Sequence, residues 1–389
     1  MFRIQTMNKI SPVGLEVFPR ASYEVAGELP HPDALLVRSA DLHSIEIPAS
    51  VKAIARAGAG YNNIPIPACS ERGIVVFNTP GANANAVKEL AIASLLIASR
   101  DIVGGIRWGQ SIADKGAAVS DLVEKEKSRF EGPEIRGKTL GVVGLGAIGV
   151  MVANDALALG MEVMGYDPFL SVDAAWSLSR QVLRAETLEG LLGKADYISL
   201  HLPLNETSKG LFDAEKFRLM KKGARIINLA RGGLVNEAEL IAALQSGKLN
   251  RYVTDFPSSA LLACPQVIAF PHIGASTPEA EDNCAVMAAR QLIEFLESGT
   301  IRNSVNFPRC QLERRAAHRL LVVNRNIPNM VGQMTTILAA ENINILALIN
   351  HHRDEYAYSI IDTAQKVPQI ALERIIMVDG IIRIRMLEG

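Results

Sequence analysis

The sequence has few cysteines and almost no net charge, and each shortage excludes a class of protein. Its four cysteines in 389 residues show no C-x-x-C spacing, which argues against a zinc site or a disulfide framework. Forty basic residues balance 41 acidic ones, so no overall field attracts nucleic acid or an anionic membrane. No apolar run reaches the roughly 18 residues of a membrane span, and the N-terminus lacks a secretory signal profile. We expect a cytoplasmic protein that acts on a small molecule, with no metal, nucleic-acid or membrane partner.

One stretch, residues 139–167, organises the pattern of the whole chain. The apolar, partly β-branched run at 139–143 predicts a strand, and helical spacing over 148–159 predicts a helix that ends at Gly160. A second strand is predicted at 162–166. Between the first strand and the helix, Gly144, Gly146 and Gly149 have G-x-G-x-x-G spacing. This spacing allows a tight turn, close approach of a pyrophosphate and close helix packing.

The strand, turn, helix and strand together predict a dinucleotide site. A phosphate is expected at the helix N-terminus, where Ala147 and Ile148 follow Gly146. Asp167 follows the second strand, where its carboxylate can accept hydrogen bonds from an adenosine ribose and would repel a 2′-phosphate. The predicted cofactor is therefore NAD rather than NADP.

Strand and helix patterns alternate on both sides of this stretch. Strands predicted at 197–201, 225–229, 252–254 and 267–270, with helices at 213–220 and 237–245, favour a doubly wound parallel sheet. Residues 1–83 predict a smaller α/β unit with strands at 35–38, 53–56 and 75–78. Long helices are predicted at 83–104 and 278–299, and a charged surface excursion at 121–136.

The chain is long enough for two or three domains. Residues 1–83 with 278–302 are predicted to form a discontinuous substrate-binding domain, and residues 84–277 an NAD-binding domain. After a charged linker at 303–315, residues 317–389 show a βαββαβ pattern, which is the ferredoxin-like plan. The predicted fold class is therefore α/β, with two doubly wound parallel-sheet domains of Rossmann or flavodoxin-like type and a C-terminal ferredoxin-like domain.

Candidate substrate contacts lie where the predicted strands end. Arg38 and Arg56 each end a strand of the first unit, so either guanidinium could bind a carboxylate or phosphate, although a surface ion pair is the alternative. Arg231 lies in a glycine-containing turn of the dinucleotide unit and could orient a carboxylate. His272, in another such turn, could take a hydroxyl proton as hydride leaves for NAD, because imidazole titrates near neutral pH.

Six segments resemble the D-2-hydroxyacid dehydrogenase family, and they extend over essentially the whole chain. They are VRS at 37–39, RAGAGYNNI at 56–64, FNTPGAN at 77–83, GLGAIG at 144–149, LARGGLVNE at 229–237 and PHIGAST at 271–277. The resemblance implies that Arg231 orients the substrate carboxylate, that His272 is the acid/base and that Asp167 binds the ribose. It also implies nicotinamide-site contacts from Ala230, Asp255 and Gly274, and substrate contacts from Arg38, Arg56, the Gly58 backbone N–H and Asn83.

Within this family, the two strand-end arginines and the C-terminal domain favour a phosphorylated 2-hydroxy acid as substrate. The implied reaction is NAD-dependent oxidation of 3-phospho-D-glycerate to 3-phosphohydroxypyruvate, the first step of serine biosynthesis. One alternative is a reductase of glyoxylate, hydroxypyruvate or another D-2-hydroxyacid. The other is an amino-acid-sensing or NAD-binding homologue with weakened catalysis. The second alternative is suggested by one departure, because the family's glutamate five residues after the aspartate matched by Asp255 is replaced by Ala260.

The C-terminal pattern resembles an ACT domain, a regulatory module that binds amino acids. The resemblance implies effector contacts from Asn324, Asn326 and Asn344, with serine as the candidate effector. The alternative is that these asparagines satisfy backbone groups in turns. Because ACT-like domains usually pair with a neighbour, we expect a homodimer or homotetramer.

Overall fold

The structure, a computed structural model, describes residues 1–314 and 316–388. The predicted linker and the predicted C-terminal domain each include one residue, Arg315 and Gly389 respectively, outside the described residues. The chain divides into two compact units: unit 1 is Met1–Asn83 with Pro278–Gly389, and unit 2 is Ala84–Thr277. No described helix is both long enough and apolar enough to cross a membrane.

Residues 1–83 begin unit 1. Their elements are β1 (Phe2–Thr6), α1 (Pro12–Leu15), β2 (Tyr23–Ala26), β3 (Ala34–Val37), β4 (Ala53–Arg56), α2 (Ile66–Glu71) and β5 (Val75–Phe77). The strands form a parallel sheet in the order β2-β1-β3-β4-β5. Strand β3 is buried along its whole length, as expected for a parallel strand covered on both faces. The strand order reverses between β1 and β3, so a ligand crevice is expected where β3 ends, next to Arg38.

Unit 2 contains helices and strands in near-regular alternation. Its elements are α3 (Ala84–Ser99), α4 (Ile102–Ser111), α5 (Val119–Glu126), β6 (Thr139–Val143), α6 (Ala147–Ala158), β7 (Glu162–Tyr166), α7 (Val172–Ser177), β8 (Leu183–Arg184), α8 (Leu188–Leu192), β9 (Tyr197–Leu200), α9 (Ala214–Leu219), β10 (Ala224–Asn228), α10 (Glu237–Gln245), β11 (Leu249–Thr254), α11 (Ser259–Leu262) and β12 (Val267–Ala269). Short 3-10 helices occupy Ala113–Ala118, Lys127–Phe130 and Gly232–Leu234. The strands form one parallel sheet in the order β12-β11-β10-β9-β6-β7-β8, with its reversal between β6 and β9.

The elements around the glycine turn have the bounds that the sequence predicts. Strands β6 and β7 and helix α10 match their predicted residues. Helix α6 begins one residue early, with Gly146 as its N-cap. Gly160, just beyond its end, has φ of +82°, the left-handed conformation that terminates a helix. The backbone conformations that Gly146 and Gly160 allow therefore determine where α6 begins and ends.

The single long helix predicted at 83–104 is wrong. Two helices, α3 and α4, occupy this region, with Asp101 between them. The Asp101 side chain accepts a hydrogen bond from the Gly104 backbone N–H (3.2 Å), so it caps the start of α4. The excursion predicted at 121–136 is exposed but partly helical, because it includes most of α5.

Residues 278–388 complete unit 1. Their elements are α12 (Pro278–Ser298), β13 (His318–Arg325), α13 (Met330–Ala340), β14 (Ile345–Arg353), β15 (Tyr356–Thr363), α14 (Gln369–Ile376) and β16 (Ile381–Glu388). The four strands form an antiparallel sheet in the order β14-β15-β13-β16. Met334, Leu338 and Ile375, on α13 and α14, pack against one face of this sheet. The predicted fold class, two parallel sheets and a ferredoxin-like sheet, is confirmed.

The other face of the antiparallel sheet is buried against the earlier part of unit 1. Leu321, Val323 and Tyr358 belong to the same hydrophobic cluster as Phe295 of α12 and the strands of residues 1–83. The Tyr358 hydroxyl donates to the Gly299 carbonyl oxygen (2.9 Å). This shared core explains why the C-terminal sheet and residues 1–83 belong to one compact unit.

A buried ion pair fixes the start of the sheet. Arg319 and Asp362 side chains are 0% exposed, and the Arg319 Nε and Nη2 donate to the two carboxylate oxygens (2.6 and 2.9 Å). The Arg319 Nη1 donates to the carbonyl oxygens of Ser298 and Leu312 (2.9 and 3.1 Å). Removing one partner of a buried pair typically costs about 3–5 kcal/mol. The two Nη1 bonds connect this pair to the chain leaving α12.

Candidate active site

The glycine turn after β6 needs its three glycines for three different reasons. Gly144 has φ of +92° and leaves no room for a β-carbon beside the His201 carbonyl group. A β-carbon on Gly149 would collide with the Gly144 carbonyl oxygen, so this glycine lets α6 pack against the turn. Gly146 has an ordinary φ of −74° and no atom within 4 Å of a β-carbon position. Its missing side chain leaves open space at the N-terminus of α6, where a phosphate would bind.

Asp167, at the end of β7, is bonded to the same turn. Its Oδ2 accepts a hydrogen bond from the Leu145 backbone N–H and its Oδ1 from the Phe169 backbone N–H, both at 2.8 Å. Each carboxylate oxygen keeps a further lone pair, so both can still accept a ribose hydroxyl. Asp167 therefore also has a structural role that its position in the sequence does not reveal, because it holds the glycine turn against β7.

A cavity of about 480 Å³ lies beside Asp167. Its walls include Leu145, Pro168, Leu170 and Val182. Apolar walls around one carboxylate suit an adenosine group, with the base on the apolar side chains and the ribose on Asp167. Together with the open space at Gly146, these residues fit NAD. The backbone N–H groups at Ala147 and Ile148 would hold its pyrophosphate.

Arg231 is held at the end of β10 by a buried asparagine. The Asn228 Oδ1 accepts from the backbone N–H groups of Ala230 (3.1 Å) and Arg231 (3.4 Å). Its Nδ2 donates to the Arg231 carbonyl oxygen (2.9 Å) and the Tyr252 hydroxyl (3.0 Å). These four bonds fix the turn, while the Arg231 side chain is exposed. The sequence reasoning missed Asn228, although asparagine at the end of a buried strand is a recognisable turn signal.

Asp255 is the buried acid of this sheet edge. It is 1% exposed, and a β-carbon on Gly274 would lie 3.2 Å from its Oδ2. Burial raises the pKa of the Asp255 carboxyl, and the His272 charge, the Gly274 backbone N–H and the Arg231 charge oppose that rise. The exposed His272 ring lies 4.7 Å from the Phe256 ring, centroid to centroid. Arg231, Asp255 and His272 therefore converge beyond the carboxyl ends of β10, β11 and β12.

Position 260 does not carry the acid expected from the family. Ala260 is exposed on α11, a short helix capped by Ser258. The Ser258 hydroxyl donates to Glu237 Oε2 (2.6 Å). The carboxylate that interacts electrostatically with His272 is instead Asp255.

A second histidine supports the glycine turn. His201 follows β9; its Nε2 lies 2.8 Å from Ser199 Oγ, and its backbone N–H donates to the Val143 carbonyl oxygen (2.8 Å). Burial lowers the pKa of His201 to about 4. Its ring is therefore neutral near pH 7 and serves as a hydrogen-bonded structural group rather than as an acid. The sequence reasoning did not single out this residue.

The two arginines at the strand ends of unit 1 differ in their partners. The Arg38 Nη2 donates to Glu281 Oε1 of α12 (2.5 Å), and the Arg38 backbone N–H donates to Asn8 Oδ1 (3.0 Å). Arg56 has no ion-pair partner among the described residues, and its Nε is buried without a hydrogen bond to any of them. Burial lowers the pKa of the Arg56 guanidinium, with Cys284 opposing this effect and Arg38 adding to it.

Gly58 makes room for the Arg56 guanidinium. It has φ of +154°, and a β-carbon there would collide with Arg56 Nη1. Its backbone N–H, expected to bind substrate, donates instead to the Arg56 carbonyl oxygen (2.9 Å). Asn83 is half-buried in the turn before α3, and its substrate contact stays a prediction.

The three asparagines expected to bind an effector lie at two ends of the antiparallel sheet. Asn324 is 1% exposed and its Nδ2 donates to the Arg325 carbonyl oxygen (2.7 Å), while the Asn326 Nδ2 donates to the Asp354 carbonyl oxygen (3.2 Å). Asn344 precedes β14, at the end where Ile345 pairs with Thr363. Six residues of strand, about 20 Å, separate this end from Asn324. One chain alone does not bring all three together.

Comparison with known proteins finds relatives of one class. Residues 95–274 match the family model described as D-isomer specific 2-hydroxyacid dehydrogenase, NAD binding domain. The chain is 37% identical over 308 residues to a D-3-phosphoglycerate dehydrogenase of Archaeoglobus fulgidus. The aligned region covers 76% of this chain and 56% of that protein. It is 34% identical over 326 residues to a D-3-phosphoglycerate dehydrogenase of Bacillus subtilis, with coverage of 79% and 59%. The crystal structure of NAD+-bound 3-phosphoglycerate dehydrogenase from Entamoeba histolytica aligns with a TM-score of 0.59 at 28% identity, over 78% of this chain and 98% of that chain.

Residues 95–274 thus match the NAD-binding domain described for D-isomer specific 2-hydroxyacid dehydrogenases, and the predicted cofactor, NAD, is confirmed. Within that class, the chain is similar to D-3-phosphoglycerate dehydrogenase, as its motifs predict. It spans a little over half the length of the curated relatives it matches.

Proposed function

We propose that this protein is an NAD-dependent dehydrogenase that oxidises 3-phospho-D-glycerate to 3-phosphohydroxypyruvate, the first step of serine biosynthesis. The observation that carries the proposal is the convergence of Arg231, Asp255 and His272 on the sheet edge that holds the glycine turn. The relatives named D-3-phosphoglycerate dehydrogenase support this choice of substrate.

Each of the three residues has a distinct chemical role in this proposal. Arg231 presents two parallel N–H donors to the substrate carboxylate and orients C2. His272 takes the proton of the C2 hydroxyl, and bound NAD supplies the acceptor for the C2 hydride. The Asp255 charge beside His272 favours the imidazolium that forms. Phe256, against the His272 ring, limits the orientations that the imidazole can adopt.

Arg56 of unit 1 is assigned to the anionic group of the substrate. The half-buried Arg56 guanidinium has lost water contacts and has no carboxylate partner among the described residues to replace them. A bound anion would provide the missing hydrogen bonds. Arg38 is the second candidate for the same group. A phosphorylated substrate is favoured because its extra charge can use both cations.

A substrate panel tests the proposal. NADH formation is measured by absorbance with 3-phosphoglycerate, glycerate and lactate, and 3-phosphoglycerate should have the highest kcat/KM. Arg56→Met should raise the KM for 3-phosphoglycerate about 10- to 100-fold, the value of a charge-assisted hydrogen bond, and change that for glycerate much less. Preference for glycerate or lactate would favour the alternative, a dehydrogenase of unphosphorylated 2-hydroxy acids.

Two further variants separate chemistry from cofactor binding. His272→Gln should lower kcat by about 10²- to 10⁴-fold, the usual contribution of a general acid or base, and Arg231→Met should also lower turnover strongly. Neither should change NAD affinity measured by fluorescence titration, because neither residue is assigned to the adenosine or pyrophosphate. Parallel loss of NAD affinity would contradict these roles.

We also infer a cytoplasmic homo-oligomer whose C-terminal sheet binds an amino-acid effector, with serine as the candidate. Two features support this inference. Strand β14 lies at an edge of its sheet, where unpaired backbone groups can pair with a second copy. The Asn324 Oδ1 is buried and has no hydrogen-bond partner among the described residues. Titrating turnover with serine tests the effector, and absence of any response would remove it from the proposal.

A further inference from the structure

Arg38 and Arg56 lie at neighbouring strand ends of unit 1, and a third residue makes them electrostatically unequal. Glu281, in the first turn of α12, accepts a hydrogen bond from Arg38 Nη2 (2.5 Å). Helix α12 packs across β3 and β4, and the bond to Arg38 places this carboxylate beside the end of β3. The sequence reasoning did not single out Glu281.

The charges of the three residues decide which ligand the strand ends can accept. Two guanidinium groups and one carboxylate sum to a formal charge of +1. A phosphate monoester carries about −1.5 to −2 near neutral pH, whereas a carboxylate carries −1. A phosphate group that reaches Arg38 must therefore displace Glu281 or bind against its repulsion. A singly charged group can bind Arg56 without disturbing the pair.

Glu281 is not needed to hold the Arg38 backbone. The Arg38 backbone N–H donates to Asn8 Oδ1 (3.0 Å), and its carbonyl oxygen accepts from Asn63 Nδ2 (3.4 Å). Both side chains of the ion pair are 41% exposed. Exposed pairs of this kind are weak, so water or a ligand can open this one.

We propose that Glu281 is a specificity-determining residue that competes with the anionic group of the substrate for Arg38. The proposal rests on the assignment of Arg38 and Arg56 to that group under the proposed function. With the pair closed, the strand ends favour a singly charged group. With the pair open, they bind a doubly charged phosphate through both arginines.

Glu281→Gln tests this proposal, because it removes the charge and keeps the size of the side chain. The KM for 3-phosphoglycerate should fall about two- to fivefold, the value of an exposed ion pair, while kcat and the KM for glycerate stay within error. Inorganic phosphate should bind more tightly by a similar factor in calorimetry, without cofactor or turnover.

Glu279→Gln is the matched control. Glu279 is an exposed carboxylate in the same helical turn, with no ion-pair partner among the described residues, so its removal changes the field of the helix terminus to a similar extent. It should leave the KM and the phosphate affinity unchanged. In the background of Arg38→Met, Glu281→Gln should also have no effect, since no guanidinium then remains at position 38 for Glu281 and the substrate to compete for.

The outcomes separate this proposal from the proposed function. If Glu281→Gln raises the KM or weakens phosphate binding, then Glu281 orients Arg38 and the competition does not occur. An unchanged KM in Glu281→Gln, with a raised KM in Arg56→Met, refutes the competition and leaves the proposed function standing. If 3-phosphoglycerate is not a substrate, the proposed function fails, and phosphate calorimetry alone then decides whether Glu281 competes for Arg38.

Discussion

Asp255 combines a buried carboxylate with two cationic neighbours, His272 and Arg231. Burial outweighs both charges, so the folded protein raises the pKa of this carboxyl. Ionised Asp255 is therefore less favourable in the folded chain than in the unfolded one. That cost is absent below the ordinary pKa of about 3.9 and complete above the raised value. The ionised Asp255 carboxylate thus lowers the stability of the folded chain at neutral pH.

Asp255→Asn should therefore raise the thermal midpoint near pH 8, and this gain should disappear as the pH falls below about 4. The same variant removes the charge beside His272, so the reductive kcat/KM should also fall. Thermal unfolding across this pH range and a pH–rate profile check the two effects. A variant less stable than the native protein near pH 8 would show that Asp255 gains more from its neighbours than it loses by burial.

At this scale, the sequence predicts residues whose roles follow from their position at a strand end. Arg231 and His272 are predicted in this way, because parallel strands all end on the same edge, and their roles stay predictions. Glu281 is not found, since it acts on Arg38, which is distant in the sequence. Asn228 is a local turn signal for Arg231 that was overlooked. Ala260 shows the same difficulty, because the sequence reveals a missing acid but not that Asp255 interacts with His272.

At the scale of elements, the glycines of the turn after β6 have different uses: some are needed for packing and one for ligand binding. The sequence places all three glycines correctly, since turn, helix start and strand ends are local features. It cannot say which glycine serves the fold and which leaves space for the cofactor. That distinction depends on distances to His201 and to the Gly144 carbonyl oxygen. The sequence pattern also does not show that the helix is interrupted at Asp101, because apolar residues at helical spacing continue across this N-cap.

Gly149→Ala and Gly146→Ala should separate the two uses of the turn. In Gly149→Ala the new methyl group meets the Gly144 carbonyl oxygen, so the free energy of unfolding should fall by about 1–3 kcal/mol, as for an overpacked site. In Gly146→Ala the methyl group meets no protein atom within 4 Å, so stability should change little while NAD affinity falls. Thermal unfolding and fluorescence titration of NAD measure the two quantities. Equal loss of stability in both variants would contradict this division.

At the scale of the whole chain, the sequence predicts the three sheets but not what covers them. The run of consecutive apolar residues in β13 indicates a strand that is buried on both faces of the C-terminal sheet. It does not identify the surface against which Val323 and Tyr358 pack. The charged residues at 303–315 suggest a linker to a separable domain, whereas the structure shows a core shared with Phe295 and the N-terminal strands. The surface that covers the C-terminal sheet is determined by contacts between residues far apart in the sequence.

A shared core predicts that unit 1 unfolds as one cooperative body. Leu338 of α13 is 0% exposed and packs on the face of the C-terminal sheet away from residues 1–83, so Leu338→Ala should cost about 2–5 kcal/mol. If unit 1 is cooperative, hydrogen exchange should accelerate in β4 as much as in β15, although β4 lies outside the cluster that contains Leu338. Leu240→Ala, a comparable buried substitution in unit 2, controls for the general effect of a cavity. Faster exchange confined to residues 318–388 would instead mean that the C-terminal sheet opens independently and that its contact with Phe295 is weaker than its burial suggests.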